Sequence, residues 1–371
     1  MIDCRQIEQT LLSPFKEAMS QTPQPPQWHG EGDVLTHTRM VVDGLQSIAE
    51  YHELTPVQQQ ELRIAAMLHD IGKIKTTQQV GSEIFAHHHG PTGARMARQS
   101  LWQGYNLCGT PELINIRETI CLLVRYHDFP HYAVVNADGA LRLHKLASNG
   151  ELAPDFSIRL LCLLARADML GRVCDDRDDV IERIELCEEL AQEEGCFDCP
   201  YPFSSLHTER AFLSGREVWK DQSLYDDTWG EVIMMSGLPG TGKDTWISEH
   251  YSNLPTISLD ELRTRHKVLP TDNQGTIIQM AKNQAKEYLR AHQPFVWNAT
   301  NLTSNRATLI ELFEAYRARV RIVYLETSND EQVRRNMGRE AAVPQSVIDE
   351  MLGKTVVPER HEATRVEWHC V

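Results

Sequence analysis

The residue types best suited to chemistry form two groups that lie far apart in the sequence. The first is a set of imidazoles and carboxylates: His37, the adjacent His69 and Asp70 within LHDIGK, and Asp168 within ARADMLGR. The second is the glycine-rich segment GLPGTGK at residues 237–243, which directly follows the apolar run VIMMS at residues 232–236. The first group predicts a metal site that removes phosphate, and the second predicts a nucleotide site that adds it.

Metal binding explains why the first group combines these residue types. Imidazoles with carboxylates suit Mn, Fe, Co, Ni or Zn, or Mg with added water. Adjacent helical residues point about 100° apart, so His69 and Asp70 converge on one ion only at a kinked or terminal turn. Gly72 supplies a helix end at that point. Lys73 would then either stabilise a bound phosphate or lie exposed, because a cation is mildly favoured at a helix C-terminus.

Two further patches offer ligands for a second ion. The run AHHHGPTGA at residues 86–94 contains three consecutive histidines, and His89 lies four residues before Gly93. The run RYHD places His127 and Asp128 at the end of a predicted apolar helix. A solvated loop is the alternative for the histidine run, and a capping or buried histidine is the alternative for His127. The sequence does not decide which of the three histidines would serve.

The glycine-rich segment has the spacing of a phosphate-binding loop between a predicted strand and a predicted helix. Its glycines let backbone N–H groups surround the phosphates, and the helix N-terminus adds favourable potential. The predicted contacts to ATP, or to another NTP with Mg²⁺, are Gly237, Gly240, Thr241, Gly242, Lys243, Asp244 and Thr245. Asp244 occupies the position where a Ser or Thr hydroxyl usually touches Mg²⁺, so its carboxylate would bind the metal directly or through water.

Residues beyond the loop predict a phosphoryl transfer. Asp260 follows a predicted strand and would accept the proton of an attacking hydroxyl, or would instead cap a helix. Arg263, three residues on, would hold a neighbouring substrate phosphate. Asn298 ends a strand where a second acidic motif would place an Asp, which argues against direct metal coordination there. Arg335 and Arg339 are four residues apart, and would form an arginine lid or a solvated charged helix.

The surrounding pattern predicts a multidomain chain. Apolar residues recur at helical spacing from about residue 34 to 195, so we expect an all-α N-terminal domain over residues 1–195. Residues 196–230 are interpreted as a connector with one helix. From residue 231, strands alternate with helices, which predicts an α/β domain over residues 231–371 with a mainly parallel sheet.

Composition excludes some function classes. The net charge is −15, with 17 Lys and Arg against 18 Asp and Glu in residues 231–371 and 20 against 34 before them. A chain that coats nucleic acid through bulk charge would be basic, so any such substrate must be bound locally. No apolar stretch reaches the length of a membrane span, and no signal peptide is recognisable. The nine cysteines are interpreted as reduced, and we expect a cytoplasmic protein.

The N-terminal motifs resemble the HD phosphohydrolase superfamily over roughly residues 30–195. The matching elements are the four ligand candidates, the Gly72-Lys73 that follows the His-Asp pair, and the context ADMLGR at residues 167–172. The resemblance implies an all-helical fold. It also implies that Asp70 bridges two ions, with His89 and His127 on the second.

The C-terminal motifs resemble the polynucleotide 5′-hydroxyl kinases over about residues 231–366. The matching stretches are GLPGTGKDTW, SLDELR, NATNLTSNR and RRNMGREAAVPQSVIDEM, the last of which is shared with small-substrate kinases. The resemblance implies that Asp260 is the general base and that Arg263 contacts the phosphate next to the 5′ end. It also implies that Arg335 or Arg339 lies in the lid.

The two halves together resemble bacterial bifunctional end-healing enzymes of the HD-Pnk type. That resemblance implies RNA or DNA ends as substrates, an NTP as phosphate donor, and a nucleic-acid ligase acting downstream. Two alternatives stay open. One is an HD nucleotide phosphohydrolase joined to a small-molecule or nucleoside kinase, and the other is an ATP-gated regulatory module. The preference for RNA or DNA, the number of metal ions and the opening of cyclic phosphates stay open as well.

Overall fold

The computed structural model describes residues 7, 9–269, 272–303, 305–338 and 342–371. The chain divides into two compact units. One comprises Met1–Leu107 with Glu112–Pro202, and the other comprises Cys108–Pro111 with Phe203–Val371. In the described part of the chain, no helix is long and apolar enough to cross a membrane.

Helices dominate the first unit, as the sequence predicted. They are α1 (Lys16–Gln21), α2 (Val34–Leu45), α3 (Ala49–Glu53), α4 (Pro56–Leu68), α5 (Lys73–Thr76), α6 (His89–Gln99), α7 (Pro111–Tyr126), α8 (Gly139–Ala147), α9 (Ile158–Leu170) and α10 (Arg177–Glu193). A small antiparallel hairpin, β1 (Gln78–Val80) and β2 (Glu83–Phe85), adds to this helical fold. Its strands are only three residues long and mostly exposed, so they leave no clear alternating pattern in the sequence.

The helix α9 forms the centre of the first unit. Its apolar residues Leu160, Leu161 and Leu164 are fully buried, and the helix packs against α2, α4 and α10. A helix with this many buried apolar residues must be packed against other helices to remove its surface from water. Because α2, α4 and α9 carry the predicted metal ligands at or near their ends, this packing brings those ligands towards one point.

The helix α4 ends earlier than the sequence predicted. It begins at a capping box formed by Thr55 and Gln58, and it ends at Leu68, so His69 and Asp70 lie in the turn that follows. Gly72 has a φ of −62°, which is not the left-handed conformation of a helix stop. A Cβ at Gly72 would lie 2.0 Å from the carbonyl oxygen of His89. This glycine is therefore required by the close approach of α6.

The second unit contains a five-stranded sheet with helices between its strands. The strands are β3 (Gly230–Ser236), β4 (Thr256–Ser258), β5 (Phe295–Asn298), β6 (Ala318–Glu326) and β7 (Arg365–Cys370). The helices are α11 (Leu206–Leu213), α12 (Lys243–His250), α13 (Leu259–His266), α14 (Gly275–Arg290), α15 (Arg306–Ala315), α16 (Asn329–Met337) and α17 (Gln345–Lys354). The strand order is β4-β5-β3-β6-β7, and all of these pairings are parallel.

The central strand β3 is apolar along its length because both of its faces are covered. Ile233 and Met235 pack with Val296, Val323 and Ile247 in a buried cluster between the sheet and α12. Since the strands are parallel, their carboxyl ends lie along one edge of the sheet. The segments that follow β3, β4 and β5 therefore begin at the same edge, where ligands bind in open α/β sheets.

Candidate metal centre and nucleotide site

The four primary metal-ligand candidates lie together in the first unit. Nε2 of His37 is 3.2 Å from Nε2 of His69 and 2.9 Å from Oδ1 of Asp168. Nε2 of His69 is 3.3 Å from Oδ2 of Asp70. All four side chains are buried. The helices α2 and α9 and the turn after α4 thus contribute to one compact cluster of nitrogen and oxygen donors.

A second group of donors shares Asp70 with the first. Nε2 of His89 is 3.1 Å from Nε2 of His127, and Oδ1 of Asp70 lies 3.5 and 3.8 Å from these two nitrogens. Asp70 therefore presents one oxygen to each histidine pair, which is the geometry that a bridging ligand requires. Within the histidine run, His89 belongs to this group, whereas His87 and His88 are exposed.

The hydrogen bonds of the four histidines direct Nε2 of each ring to the centre. Nδ1 of three rings is 2.8–2.9 Å from a backbone carbonyl oxygen, to which it donates; the ring and acceptor pairs are His69 with Ala66, His89 with Ala86, and His127 with Val124. Nδ1 of His37 instead lies 2.8 Å from Oε1 of Glu31. This arrangement leaves Nε2 of each ring as the atom for a metal, because the partner of Nδ1 fixes the tautomer.

The donor set fits a divalent metal. Two pairs of Nε2 atoms face each other at hydrogen-bond distance, so without a metal one ring of each pair must hold a proton between them. Oδ1 of Asp70 is also buried and, among the described residues, accepts no hydrogen bond. A buried acceptor of this kind is costly unless a cation satisfies it. These residues could hold one ion or two.

Lys73 is buried beside the cluster, so the exposed position considered for it is wrong. Nζ of Lys73 is 2.7 Å from Oδ2 of Asp70 and donates to Oε1 of Gln24 at 2.7 Å. It also lies 3.5 Å from Nε2 of His29. The three donors of the ammonium group thus face three acceptors, which holds its charge next to Asp70.

Several residues of this centre were not among the predicted ligands. Glu31 lies 2.8 Å from both His29 and His37, and the guanidinium of Arg172 forms two hydrogen bonds with Asp168. Asp128, noted beside His127 in the sequence, has Oδ2 3.1 Å from Nε2 of His89. The available sequence signals were the His-Gly-Glu run before His37 and the arginine four residues after Asp168.

The pKa values in this network reflect competition between burial and charge. Burial lowers the pKa of His29 to about 4, against its hydrogen bond with Glu31. Burial also disfavours the charged form of His37, but Asp168 and Glu31 outweigh it and raise the pKa of that ring to about 9. A metal that binds His37 must therefore displace a proton.

In the second unit, the glycine-rich segment forms a loop whose backbone requires its glycines. Gly237, Gly240 and Gly242 have φ values of 142°, 86° and 84°. Lys243 begins α12, and its ammonium donates to the carbonyl oxygens of Gly237 and Leu238, both at 2.9 Å. The ammonium of Lys243 therefore lies against the loop that is expected to bind phosphate.

The other predicted nucleotide contacts differ in exposure. Thr241 is buried, and its hydroxyl donates to the carbonyl oxygen of Leu238. Asp244 and Thr245 are exposed on the first turn of α12. Oδ1 of Asp244 accepts a hydrogen bond of 2.7 Å from Nδ2 of Asn298, at the end of β5. Asp244, in the magnesium position, is thus hydrogen-bonded to Asn298, a contact that the sequence did not predict.

Arg335 lies beside the loop on α16. A Cβ at Gly242 would be 3.2 Å from Nη1 of Arg335, and Nε of this arginine is 2.5 Å from Oε1 of Glu331. Gln332, on the same helix, donates to the carbonyl oxygen of Pro239 at 2.7 Å. The predicted position of Arg339 lies outside the described residues, and α16 ends at Met337.

Asp260 and Arg263 lie on the first turns of α13. The helix cap is Ser258, whose hydroxyl accepts from the backbone of Glu261, so the capping role considered for Asp260 is wrong. Asp260 is 78% exposed, and its Oδ1 is 2.5 Å from Nη1 of Arg263. Nε of Arg263 donates to Gln274 on the neighbouring segment. The carboxylate is accessible, and the arginine next to it is held in place.

Two known domain families match separate parts of the chain. The HD domain family matches residues 34–170, and a family described as an AAA domain matches residues 232–358. The chain is 30% identical over 175 residues to the "Multifunctional CCA protein" of Pasteurella multocida (strain Pm70). That alignment covers 47% of this chain and 38% of the relative, so the chain spans well under half of that protein's length. The chain therefore joins an HD domain to a P-loop, kinase-like AAA domain.

Proposed function

We propose that this chain heals broken RNA or DNA ends, with its two domains acting on opposite ends. The observation that carries the proposal is a cluster of metal-ligand candidates and a glycine-rich phosphate loop on one polypeptide, suited to removing and to adding phosphate. On a single chemical group these reactions would cancel each other. A strand with a 5′-hydroxyl and a terminal 2′-, 3′- or 2′,3′-cyclic phosphate needs both before a nucleic-acid ligase can join it.

In the HD domain, the proposed reaction is hydrolysis of the terminal phosphate. His37, His69, Asp70 and Asp168 would hold one divalent ion, and His89, His127 and Asp70 a second. A bound ion of this type acidifies a water molecule and holds phosphoryl oxygens. Lys73 would place its charge against the phosphate once a phosphate oxygen replaces one of the acceptors that now surround its ammonium.

Arg172 contributes differently from Lys73. Its guanidinium forms a bidentate pair with Asp168, so much of its charge is used to balance that buried carboxylate. The arginine would therefore orient Asp168 for metal binding. Glu31 would orient His37 in the same way, through its contact with Nδ1 of the ring.

In the AAA domain, the proposed reaction is transfer of the γ-phosphate of ATP, or another NTP, to a 5′-hydroxyl. Lys243 would move from the loop carbonyls to the β- and γ-phosphates when they bind. Asp260 would accept the proton of the attacking hydroxyl, and Arg263 would bind the adjacent phosphate of the strand. Arg335 would add positive charge next to the transferred group.

The exposure of Asp260 leaves room for the end of a polymer, which needs an open approach. Asp260 projects from a helix with most of its surface in solvent. The acidic chain offers no general attraction to a phosphate backbone, so recognition would be confined to the terminal nucleotides.

The test compares acceptors and leaving phosphates in parallel assays. With γ-labelled ATP and Mg²⁺, label should enter 5′-hydroxyl oligonucleotides and not enter nucleosides or sugars. With Mn²⁺, Co²⁺, Ni²⁺ or Zn²⁺, phosphate should be released from oligonucleotides that end in 2′-, 3′- or cyclic phosphate. Label transfer only to small acceptors would favour a metabolic kinase. Absence of turnover by both halves would favour a regulatory module.

A further inference from the structure

The magnesium position of the phosphate loop differs from the usual arrangement at two residues. P-loop NTPases hold Mg²⁺ with a Ser or Thr hydroxyl after the loop lysine and with an Asp on a neighbouring strand. In this chain the residue after Lys243 is Asp244, and Asn298 ends the strand that neighbours the loop. The carboxylate and the neutral polar group have exchanged places.

The structure brings these two residues into direct contact. The strand β5 pairs with β3, with Met234 opposite Trp297, so Asn298 lies at the sheet edge where the loop begins. Nδ2 of Asn298 donates to Oδ1 of Asp244 at 2.7 Å. Asn298 is almost fully buried, whereas Asp244 is exposed at the start of α12. Among the described residues, the structure gives Oδ2 of Asp244 no hydrogen bond and no ion pair.

We infer that Asp244 and Asn298 form an exchanged magnesium pair. Asp244 supplies the carboxylate ligand from the helix, and Asn298 orients it through Oδ1 while Oδ2 remains for the cation or its bound water. The site keeps one negative charge, as in the usual arrangement, but that charge lies directly beside the loop. This inference rests on the proposed nucleotide site. It adds that the site should bind ATP together with Mg²⁺ in preference to ATP alone.

The position of the charge predicts strong coupling between ATP and Mg²⁺. A carboxylate next to the polyphosphate repels it when no cation lies between them and attracts it through the cation when one does. ATP should therefore bind poorly without Mg²⁺, and by linkage Mg²⁺ should bind poorly without ATP. A hydroxyl at position 244 would remove the repulsion and weaken this coupling.

The experiment measures the affinity of the chain for a fluorescent ATP analogue, once with Mg²⁺ and once with EDTA. The affinity with Mg²⁺ divided by the affinity with EDTA is the measure of coupling. Asp244→Thr should lower that ratio by about tenfold or more, mainly because binding in EDTA becomes tighter. Asn298→Asp places two carboxylates at the site and should weaken binding in EDTA further. The double variant Asp244→Thr/Asn298→Asp carries its one carboxylate on the strand, as in the usual arrangement, so its ratio should lie between those of Asp244→Thr and the wild type.

Ser248→Ala is the matched control, because it removes an exposed hydroxyl on α12 that lies outside the predicted nucleotide contacts. Its coupling should equal that of the wild type. The inference is overturned if Thr245→Ala abolishes the coupling, if Asp244→Thr leaves the ratio unchanged, or if the double variant has a ratio as high as that of the wild type. A wild-type chain that binds no ATP would overturn the nucleotide site as well. Normal coupling with phosphorylation of small acceptors alone would leave the pair intact and refute the end-healing proposal.

Discussion

The two candidate sites differ in how much of each is in place without a ligand. In the HD domain, three ligand rings are buried, His89 is partly buried, and each Nδ1 already has a hydrogen-bond acceptor. In the AAA domain, Lys243 contacts its own loop, and Asp260 is largely exposed. The first site is organised by folding, whereas the second must be completed by its nucleotide and substrate.

Charge explains why the two sites are built in these ways. Asp70, Asp168 and Glu31 bring negative charge into the helical core, and Lys73 and Arg172 balance only part of it. Burial of so many charges is tolerated only within a fixed network, so this site has to be rigid. The phosphate loop uses backbone N–H groups and a helix N-terminus, which carry no net charge and can remain open to solvent.

The largest expected effect is the loss of the bridging carboxylate. Asp70→Ala should lower phosphate release by about 10³-fold or more and remove bound metal, because both donor groups share this residue. Elemental analysis measures the bound metal, and an assay of phosphate release measures the rate. Asp138→Ala, at an exposed position, is the control. Full metal content in Asp70→Ala would show that Asp70 does not bridge the two groups.

The phosphate loop should respond to Lys243→Ala almost as strongly. Phosphate transfer should fall by about 10²–10³-fold, since the charge on the transferred group is then uncompensated. Phosphate release by the HD domain should be unchanged. Transfer of γ-labelled phosphate measures the effect, and Lys282→Ala on α14 serves as the control. A parallel loss of both activities in a folded variant would contradict the separation of the sites.

A smaller effect tests whether the metal centre depends on residues that do not touch the metal. Glu31→Gln keeps the shape of the side chain but removes the charge that faces Nδ1 of His37. Metal affinity should fall by about 10–100-fold, as outer partners of ligating histidines generally affect affinity to that extent. Metal titration measures the change, and Glu17→Gln, on the exposed side of α1, should leave it unaltered.

The smallest effect concerns stability rather than activity. Glu61 is buried on α4 without a hydrogen-bond partner among the described residues, and burial raises its pKa to about 9, with a further contribution from Asp155. Because the folded pKa exceeds the unfolded value of 4.5, the folded chain binds the extra proton. Its contribution to stability is present below about pH 4.5 and is lost as pH rises towards 9.

Glu61→Gln removes this titration. The free energy of unfolding of the variant should exceed that of the wild type by about 1 kcal/mol or more near pH 8, and the difference should shrink near pH 5. Chemical denaturation at both pH values measures it, with the exposed Glu112→Gln as the reference. An equal difference at the two pH values would mean that Glu61 does not titrate in the folded chain.

The sequence was enough to predict the main residues of both sites but not all of the residues that contact them. His69 and Asp70 were predictable because adjacent ligands need a terminal turn, and that turn is present. Glu31 was not found, because its role depends on a loop returning to α2 across residues that show no periodic pattern. Gly72 was assigned to a helix stop, whereas its actual constraint is the carbonyl of His89 from another helix.

The same limit applies to the AAA domain. The glycine spacing and the alternation of strands and helices predicted a parallel sheet with the loop after its first strand. The contact between Asp244 and Asn298 was not predictable, since it depends on β5 pairing beside β3 and not on any local motif. The roles of Asp260, Arg263 and Arg335 stay predictions until substrates are tested.

The central claim is that two independent phosphate reactions act on opposite ends of one strand. The most direct measurement follows one oligonucleotide that carries a 5′-hydroxyl and the terminal phosphate that the wild type removes fastest. The wild type should modify both ends, Asp70→Ala only the 5′ end, and Lys243→Ala only the other. An equal mixture of the two variants should again process both ends. A single substitution that stops both reactions in a folded chain, or a mixture that fails to restore them, would contradict the account.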